Sequence, residues 1–366
     1  MDYRKLAREN ILSLEPYIPG KSIDEIKELY NVTEIIKMAS NENPIGPSPK
    51  ACEAIVNNLS KIHLYPLSGS PYLRNILSEK LGINTDEIIF GNGSDDLIEI
   101  LLLTFLKQGE HALTVSPTFS EYFLMTKAVG GECRFVPLER DFTFNFDRLN
   151  ELINKYTKVI FLANPNNPTG TYFNSSYFIR FMENVSSAKI VVLDEAYAEY
   201  VEAEDFPKSF HLREKFKNLV IMRTFSKAYG LAGLRVGYAV ANKNIIALMD
   251  KVRQPFNVNS LAQVAACAAI CDENHLKKIF KMNLEGKYYL YSSFDRMGLD
   301  YIKSQANFIL VAVGDGLKVS EGLLKEGIIV RYMGQQLHEY IRVTVGTMEE
   351  NEIFIKKLMK VMGETI

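Results

Sequence analysis

At 366 residues with 47% hydrophobic side chains, the chain has material for one large or two ordinary domains around a substantial core. A formal net charge of -2 argues against a nucleic-acid partner, which would want a basic face, so any anion site must be local. The longest apolar run, LIEILLLTFL (97–106), is too short for a bilayer and contains Glu99; the N-terminus lacks the apolar core of a signal peptide, and four scattered cysteines suit a reducing cytoplasm.

The N-terminal segment carries Pro16, Pro19, Pro44, Pro47 and Pro49 and reads as irregular, packing against a smaller domain or a partner subunit. From about residue 51 to 241, helical patterns alternate with short apolar strands at 87–90, 111–115, 158–163, 189–194, 219–223 and 236–241. That alternation predicts an α/β fold, with a mostly parallel central sheet covered by helices on both faces. Beyond Gln254-Pro255 an alanine-rich helical stretch contains AACAAIC, where Cys267 and Cys271 read as buried small residues rather than metal ligands. The five histidines have no ligand spacing either, so no metal is expected. From about Tyr288, strands at FILVAV, GIIVR and YIRVTV and a final helix predict a smaller α+β unit. The expected division is 1–45 joining the small domain, 46–260 as the large domain, and 261–366 as linking helix and small domain.

Each loop after a large-domain strand carries a polar signature, at the sheet edge where open α/β folds bind ligands. GNGSDD (91–96) is a glycine-rich turn before the buried helix: either an anion cradle of free N–H groups or plain N-capping by Ser94 or Asp95. It lacks the last glycine of the dinucleotide fingerprint and the lysine of a nucleotide-triphosphate loop. SPTFSEY places Phe119 and Tyr122 at the same edge, for ring stacking or core packing. NPNNPTG supplies a tight turn or an amide, Asn167, and DEAY sets Asp194 at a strand end with Tyr197 three residues on. TFSKAYGLAGLR adds Thr224, Ser226, Lys227 and Arg235. An aldehyde for a lysine, a ring nitrogen for a carboxylate, a ring oxygen for donors and a phosphate for N–H groups and an arginine together describe pyridoxal 5′-phosphate.

NPNNPTG, DEAY and SKxxGxxGxR in this order resemble the fold-type I, class I/II aminotransferases, which depend on pyridoxal phosphate. EPYIPG, MASNENPIGPSP, YPLSGSPYLR, RQPFNVNSLAQ and YIRVTVGTMEEN extend the resemblance over nearly the full length, to the histidinol-phosphate aminotransferase subfamily. The resemblance implies that Lys227 condenses with the cofactor aldehyde and carries the substrate proton. It implies that Asp194 pairs with the ring nitrogen, that Tyr197 and Asn167 hydrogen-bond the ring oxygen, and that Phe119 stacks on the ring. Ser94, Asp95, Thr224, Ser226 and Arg235 would clasp the phosphate, and Tyr65 would reach the phosphate in a neighbouring subunit, which implies a homodimer with shared sites. Arg342, Arg331, Tyr17 and Asn43 would contact substrate; without the family, Arg331 could equally be a surface charge on a strand. Phe119, where a tyrosine is common, and Asp96, where the subfamily commonly has glutamate, are departures.

The activity implied is transamination between L-histidinol phosphate and 2-oxoglutarate, a step of histidine biosynthesis in the cytoplasm. The rivals are an aromatic amino acid aminotransferase, a threonine-phosphate decarboxylase and a non-catalytic cofactor-binding protein; a nicotinamide-dependent oxidoreductase rests on GNG alone.

Overall fold

The computed structural model describes residues 2–15 and 34–363; Tyr17 lies outside them. The larger sheet has seven strands, β2 (Ile88–Gly91), β3 (His111–Ser116), β4 (Glu132–Pro137), β5 (Thr157–Ala163), β6 (Ile190–Asp194), β7 (Leu219–Thr224) and β8 (Gly237–Ala241). They lie side by side in the order β2-β8-β7-β6-β5-β3-β4. The pairs β3/β4, β3/β5, β5/β6 and β6/β7 are parallel, whereas β8 runs antiparallel to both β7 and β2. Two antiparallel steps restore the direction, so the carboxyl end of β2 returns to the same edge as those of β3, β5, β6 and β7.

The central strands are continuously apolar because both faces are covered. Successive side chains of β5 divide between two cores: Val159 and Phe161 join Ile98, Leu101 and Met222 on one face, and Ile160 and Leu162 join Phe178, Phe181 and Leu193 on the other. The sequence reading missed β4, ECRFVP, because an edge strand with one buried residue, Val136, has no apolar run to find.

The second unit is an antiparallel sheet of four strands, β9 (Tyr301–Ile302), β10 (Phe308–Ala312), β12 (Arg331–Tyr332) and β13 (Tyr340–Thr344), in the order β12-β13-β10-β9. It packs against the helices Glu273–Arg296, Gly316–Lys325 and Met348–Met362. GIIVR, expected as one strand, is two: β11 (Ile328–Ile329) pairs in parallel with β1 (Ile36–Lys37), and after Val330 the chain changes partner and pairs as β12 with β13. The 24-residue helix Glu273–Arg296 buries Lys287, which donates to Glu202 and to Ser304 O at 2.9 Å. The reading of Cys267 and Cys271 as buried needs correction: Cys267 is half-buried, and Cys271, just past the helix Ser260–Ile270, is exposed.

Candidate active site

Between the carboxyl edge of the large sheet and the small sheet lies a cleft of about 1770 Å³. Ser94, Asp95, Phe119, Asn167, Asp194, Tyr197, Thr224, Ser226, Lys227 and Arg235, named from ten positions spread over 142 residues of chain, all line it. So do Arg331 and Arg342 from the small sheet.

At the large-sheet end, the helix Ser94–Phe105 begins at Gly93, whose φ of 87° suits a residue without Cβ. A side chain there would also come within 2.5 Å of the Arg235 guanidinium. No side chain caps this helix, which removes the capping alternative and leaves its first N–H groups free for an anion. Arg235 donates to Asp95 Oδ2 at 2.9 Å and, at a longer 3.4 Å, to Ser226 Oγ, so a guanidinium and a hydroxyl flank that N-terminus. A helix N-terminus with hydroxyls and an arginine around it fits a phosphate.

Asp194 ends β6 and is almost completely buried. Burial raises its carboxyl group to about 6, against hydrogen bonds from the Tyr122 hydroxyl at 2.6 Å and the Ala196 N–H at 3.2 Å. Tyr122 is therefore not a ring-stacking residue. Its own ring stacks on Phe161 at 4.7 Å, and Phe119, at right angles to it, lines the cleft. The next residue, Glu195, is fully buried and pairs with Arg223 of β7 at 2.6 Å, tying together the two strands that deliver Asp194 and Lys227.

Lys227 sits three residues past β7 and donates to Ser40 O at 3.0 Å. Burial lowers its ammonium to about 8, helped by the nearby Arg342 and opposed by Glu42. An amine held there can both lose and regain a proton near neutral pH.

At the other end, strand alternation sorts the small sheet. Met38, Ile328, Val330, Ile341 and Val343 point into the small core, so Lys37, Ile329, Arg331 and Arg342 face the cleft. Arg331 and Arg342 are direct cross-strand partners. Arg342 donates to Asn167 Oδ1 and, at 2.7 Å, to Ala39 O. Because a guanidinium only donates, Asn167 must present its carbonyl to Arg342, which leaves its NH₂ to donate into the cleft. Arg331 has no hydrogen bond or ion pair to any described residue. Lys37, bonded to Glu42 at 2.8 Å, adds a third cation that the sequence reading missed.

One expected substrate contact lies elsewhere, and Tyr65 was expected to act only in a neighbouring subunit. Asn43 is not on the cleft wall: its amide donates to Ala228 O at 2.9 Å and Gly46 O at 3.2 Å and accepts from the Ile45 N–H, pinning the 39–46 segment beside Lys227. Tyr65 is 82% exposed, stacked on Phe256, and takes no part in its own chain's cleft. Asn41, which sequence reasoning passed over, lines the cleft and donates to the Tyr197 hydroxyl at 3.0 Å.

The match to the aminotransferase class I and II model spans residues 33–358, and the chain belongs to that family. It is a pyridoxal-phosphate-dependent aminotransferase. More particularly, it is 44% identical to the histidinol-phosphate aminotransferase of Moorella thermoacetica, over 97% of this chain and 93% of that protein. It is 42% identical to the enzyme of that name from Caldicellulosiruptor saccharolyticus, over 97% and 99%. The crystal structure of the Sinorhizobium meliloti histidinol-phosphate aminotransferase in complex with pyridoxal-5′-phosphate superposes with a TM-score of 0.89 at 25% identity, covering 97% of each chain. A Thermus thermophilus aspartate aminotransferase mutant shares the fold, with a TM-score of 0.84 at 19% identity, covering 97% of this chain and 99% of its own.

When bound, pyridoxal phosphate supplies an aldehyde that takes up the substrate amine and a ring that accepts the electron pair left by the departing proton. The residues of the chain do the rest. Asp194, held by Tyr122, would keep a proton on the ring nitrogen. Tyr197 and Asn167 would donate to the ring oxygen. Lys227, its amine buried at the cleft, would take the proton from the substrate carbon and return it to the carbon that was the aldehyde's.

Proposed function

We propose that the chain transfers the amino group of L-histidinol phosphate to 2-oxoglutarate, giving imidazole acetol phosphate and L-glutamate, as a step of histidine biosynthesis. The observation that carries this reading is the cross-strand pair of Arg331 and Arg342, with Arg331 unpaired among described residues. One arginine satisfies a carboxylate; two neighbouring guanidiniums match a dianionic phosphate ester, and that match sets this reading above an aromatic amino acid aminotransferase. The curated relatives at 40–44% identity, named histidinol-phosphate aminotransferase, support it.

The same proposal assigns Lys227, Asp194 and Tyr197 to catalysis, and Ser94, Asp95, Phe119, Asn167, Thr224, Ser226 and Arg235 to the cofactor. It takes 46–260 as the large domain and the chain ends as the small one, in keeping with where the two larger sheets lie in sequence. It includes a homodimer: Val56, Leu59, Ile62, Leu64, Tyr65, Leu67 and Tyr72 are all exposed within one short stretch, more apolar surface than a monomer ordinarily leaves to water. Tyr65 would serve the partner's cofactor. Sedimentation should give twice the chain mass. A cytoplasmic location accords with four free cysteines, two of them exposed, and no described helix is long and apolar enough to cross a membrane.

The deciding experiment follows the visible absorption of the cofactor-loaded protein as amino donors are added without keto acid. Bleaching at low L-histidinol phosphate and only at much higher L-phenylalanine is expected. Preferential bleaching by phenylalanine would transfer the assignment to an aromatic aminotransferase, and no visible band would remove the cofactor.

A further inference from the structure

Asn41 has a left-handed backbone, φ 57°, and is buried. Among non-glycine residues asparagine tolerates this region best, but glycine would occupy it with less strain, so the backbone by itself does not explain the side chain. The hydrogen bonds do. Asn41 N–H donates to Thr344 Oγ1 at 2.9 Å, and the Thr344 hydroxyl donates to Asn41 Oδ1 at 3.2 Å. A hydroxyl has one proton, and having accepted from the backbone, Thr344 gives that proton to the amide oxygen; this fixes the amide's orientation. Asn41 Nδ2 is then aimed at the Tyr197 hydroxyl, 3.0 Å away. Asn307 Nδ2 closes the arrangement on Asn41 O at 3.0 Å.

For Tyr197 this arrangement has two consequences. Its oxygen accepts from Asn41, so its own proton points elsewhere and is available to the cofactor's ring oxygen. Its partner Asn41 is also anchored to Thr344 at the end of β13, two residues beyond Arg342, and to Asn307 just before β10. A contact at the large sheet is thereby set by the small one. The charged groups around the phenol are Arg342, Asp194, Asp95 and, 5.9 Å from the ring, Lys227; burial raises the phenol, while Arg342 and the Asn41 hydrogen bond lower it.

We propose that Asn41 is a positioning residue: its amide, locked by Thr344, orients the Tyr197 hydroxyl as donor to the cofactor's ring oxygen and couples that contact to the small sheet. The proposal rests on the cofactor assignment above. Its test is a pH titration of the visible band of the cofactor-loaded protein, with no substrate present, alongside thermal melting. Asn41→Gly keeps the left-handed backbone and deletes the amide; Asn41→Asp keeps the shape but, ionised, offers no donor; Thr344→Val removes the lock. With the donor lost, charge on the ring oxygen is less stabilised, so all three titrations should move to higher pH, by about half a unit or more for the two Asn41 variants. Asn41→Gly should melt near the wild-type temperature. A folded Asn41→Gly protein that titrates like wild type would overturn the proposal and leave Asn41 a backbone residue. If that variant does not fold, Asn41→Asp decides by the same comparison. A wild-type protein with no visible band would fail the cofactor assignment instead, an outcome distinct from either.

Discussion

The two ends of the cleft are built differently. At the cofactor end, Asp194 and Lys227 project from neighbouring parallel strands of one sheet, cross-linked by Glu195 and Arg223, and the polar groups beside them are already hydrogen-bonded within the protein. At the substrate end, segment 37–41 meets Arg331 and Arg342, some 300 residues away in sequence, and Arg331 is left without a partner among described residues. A ligand retained through every turnover suits preorganised groups on a rigid sheet, whereas substrates that alternate need cations that can be engaged and released. Arg342 belongs to both ends, because it faces the cleft beside Arg331 and also holds the carbonyl of Asn167.

The largest expected effect falls at the cofactor end. Lys227→Ala should reduce turnover by about 10⁴-fold while equilibrium dialysis still finds cofactor held by the phosphate clasp; appreciable transamination by this variant would end the assignment of Lys227. Next come the arginines. Arg331→Ala should raise KM for L-histidinol phosphate about 10- to 100-fold with little change for L-glutamate, whereas Arg342→Ala should raise both. Equal effects of Arg331→Ala on the two substrates would erase the distinction between a phosphate contact and a general anion contact.

Smaller effects sharpen the account of Asp194. Tyr122→Phe removes the shortest hydrogen bond to that carboxylate and should lower kcat/KM about tenfold, with substrate KM nearly unchanged. An altered KM with unchanged kcat would place Tyr122 among the substrate contacts. In the cofactor-free protein, the folded-state value of Asp194, about 6, lies above the ordinary 3.8. Its ionisation therefore costs nothing below about pH 4 and the full amount above about pH 6. Asp194→Asn should stabilise the cofactor-free protein by about 2–3 kcal/mol at pH 7, with the gain fading as pH falls to 4. A gain independent of pH would mean that the carboxylate is not the source of the cost.

The large sheet was legible because each central strand is a short apolar run that gives way to polar or turn-forming residues, and because the candidate site residues come within a few positions of those ends. β4 and β9 were not, since strands that are short or exposed at a sheet edge leave no run to detect. Splitting of GIIVR depends on which partner each half finds. Tyr122 was noticed for its aromatic ring and missed for its hydroxyl, whose partner is 72 residues away. Asn43 looked like a contact through its motif, and only the nearness of the Ala228 carbonyl shows where its amide goes.

By itself the sequence determined the alternating α/β architecture and the placing of the lysine, the carboxylate and the glycine-rich turn at one sheet edge, because strand periodicity and turn chemistry act over a handful of residues and the sheet edge gathers the side chains just past each strand. The tertiary structure alone decided which hydrogen bonds those groups make. Burial raises Asp194 and lowers Lys227, one guanidinium dictates which way Asn167 faces, and one threonine dictates it for Asn41. Such choices arise from groups tens to hundreds of residues apart competing for a single proton or lone pair, and no local pattern encodes the outcome.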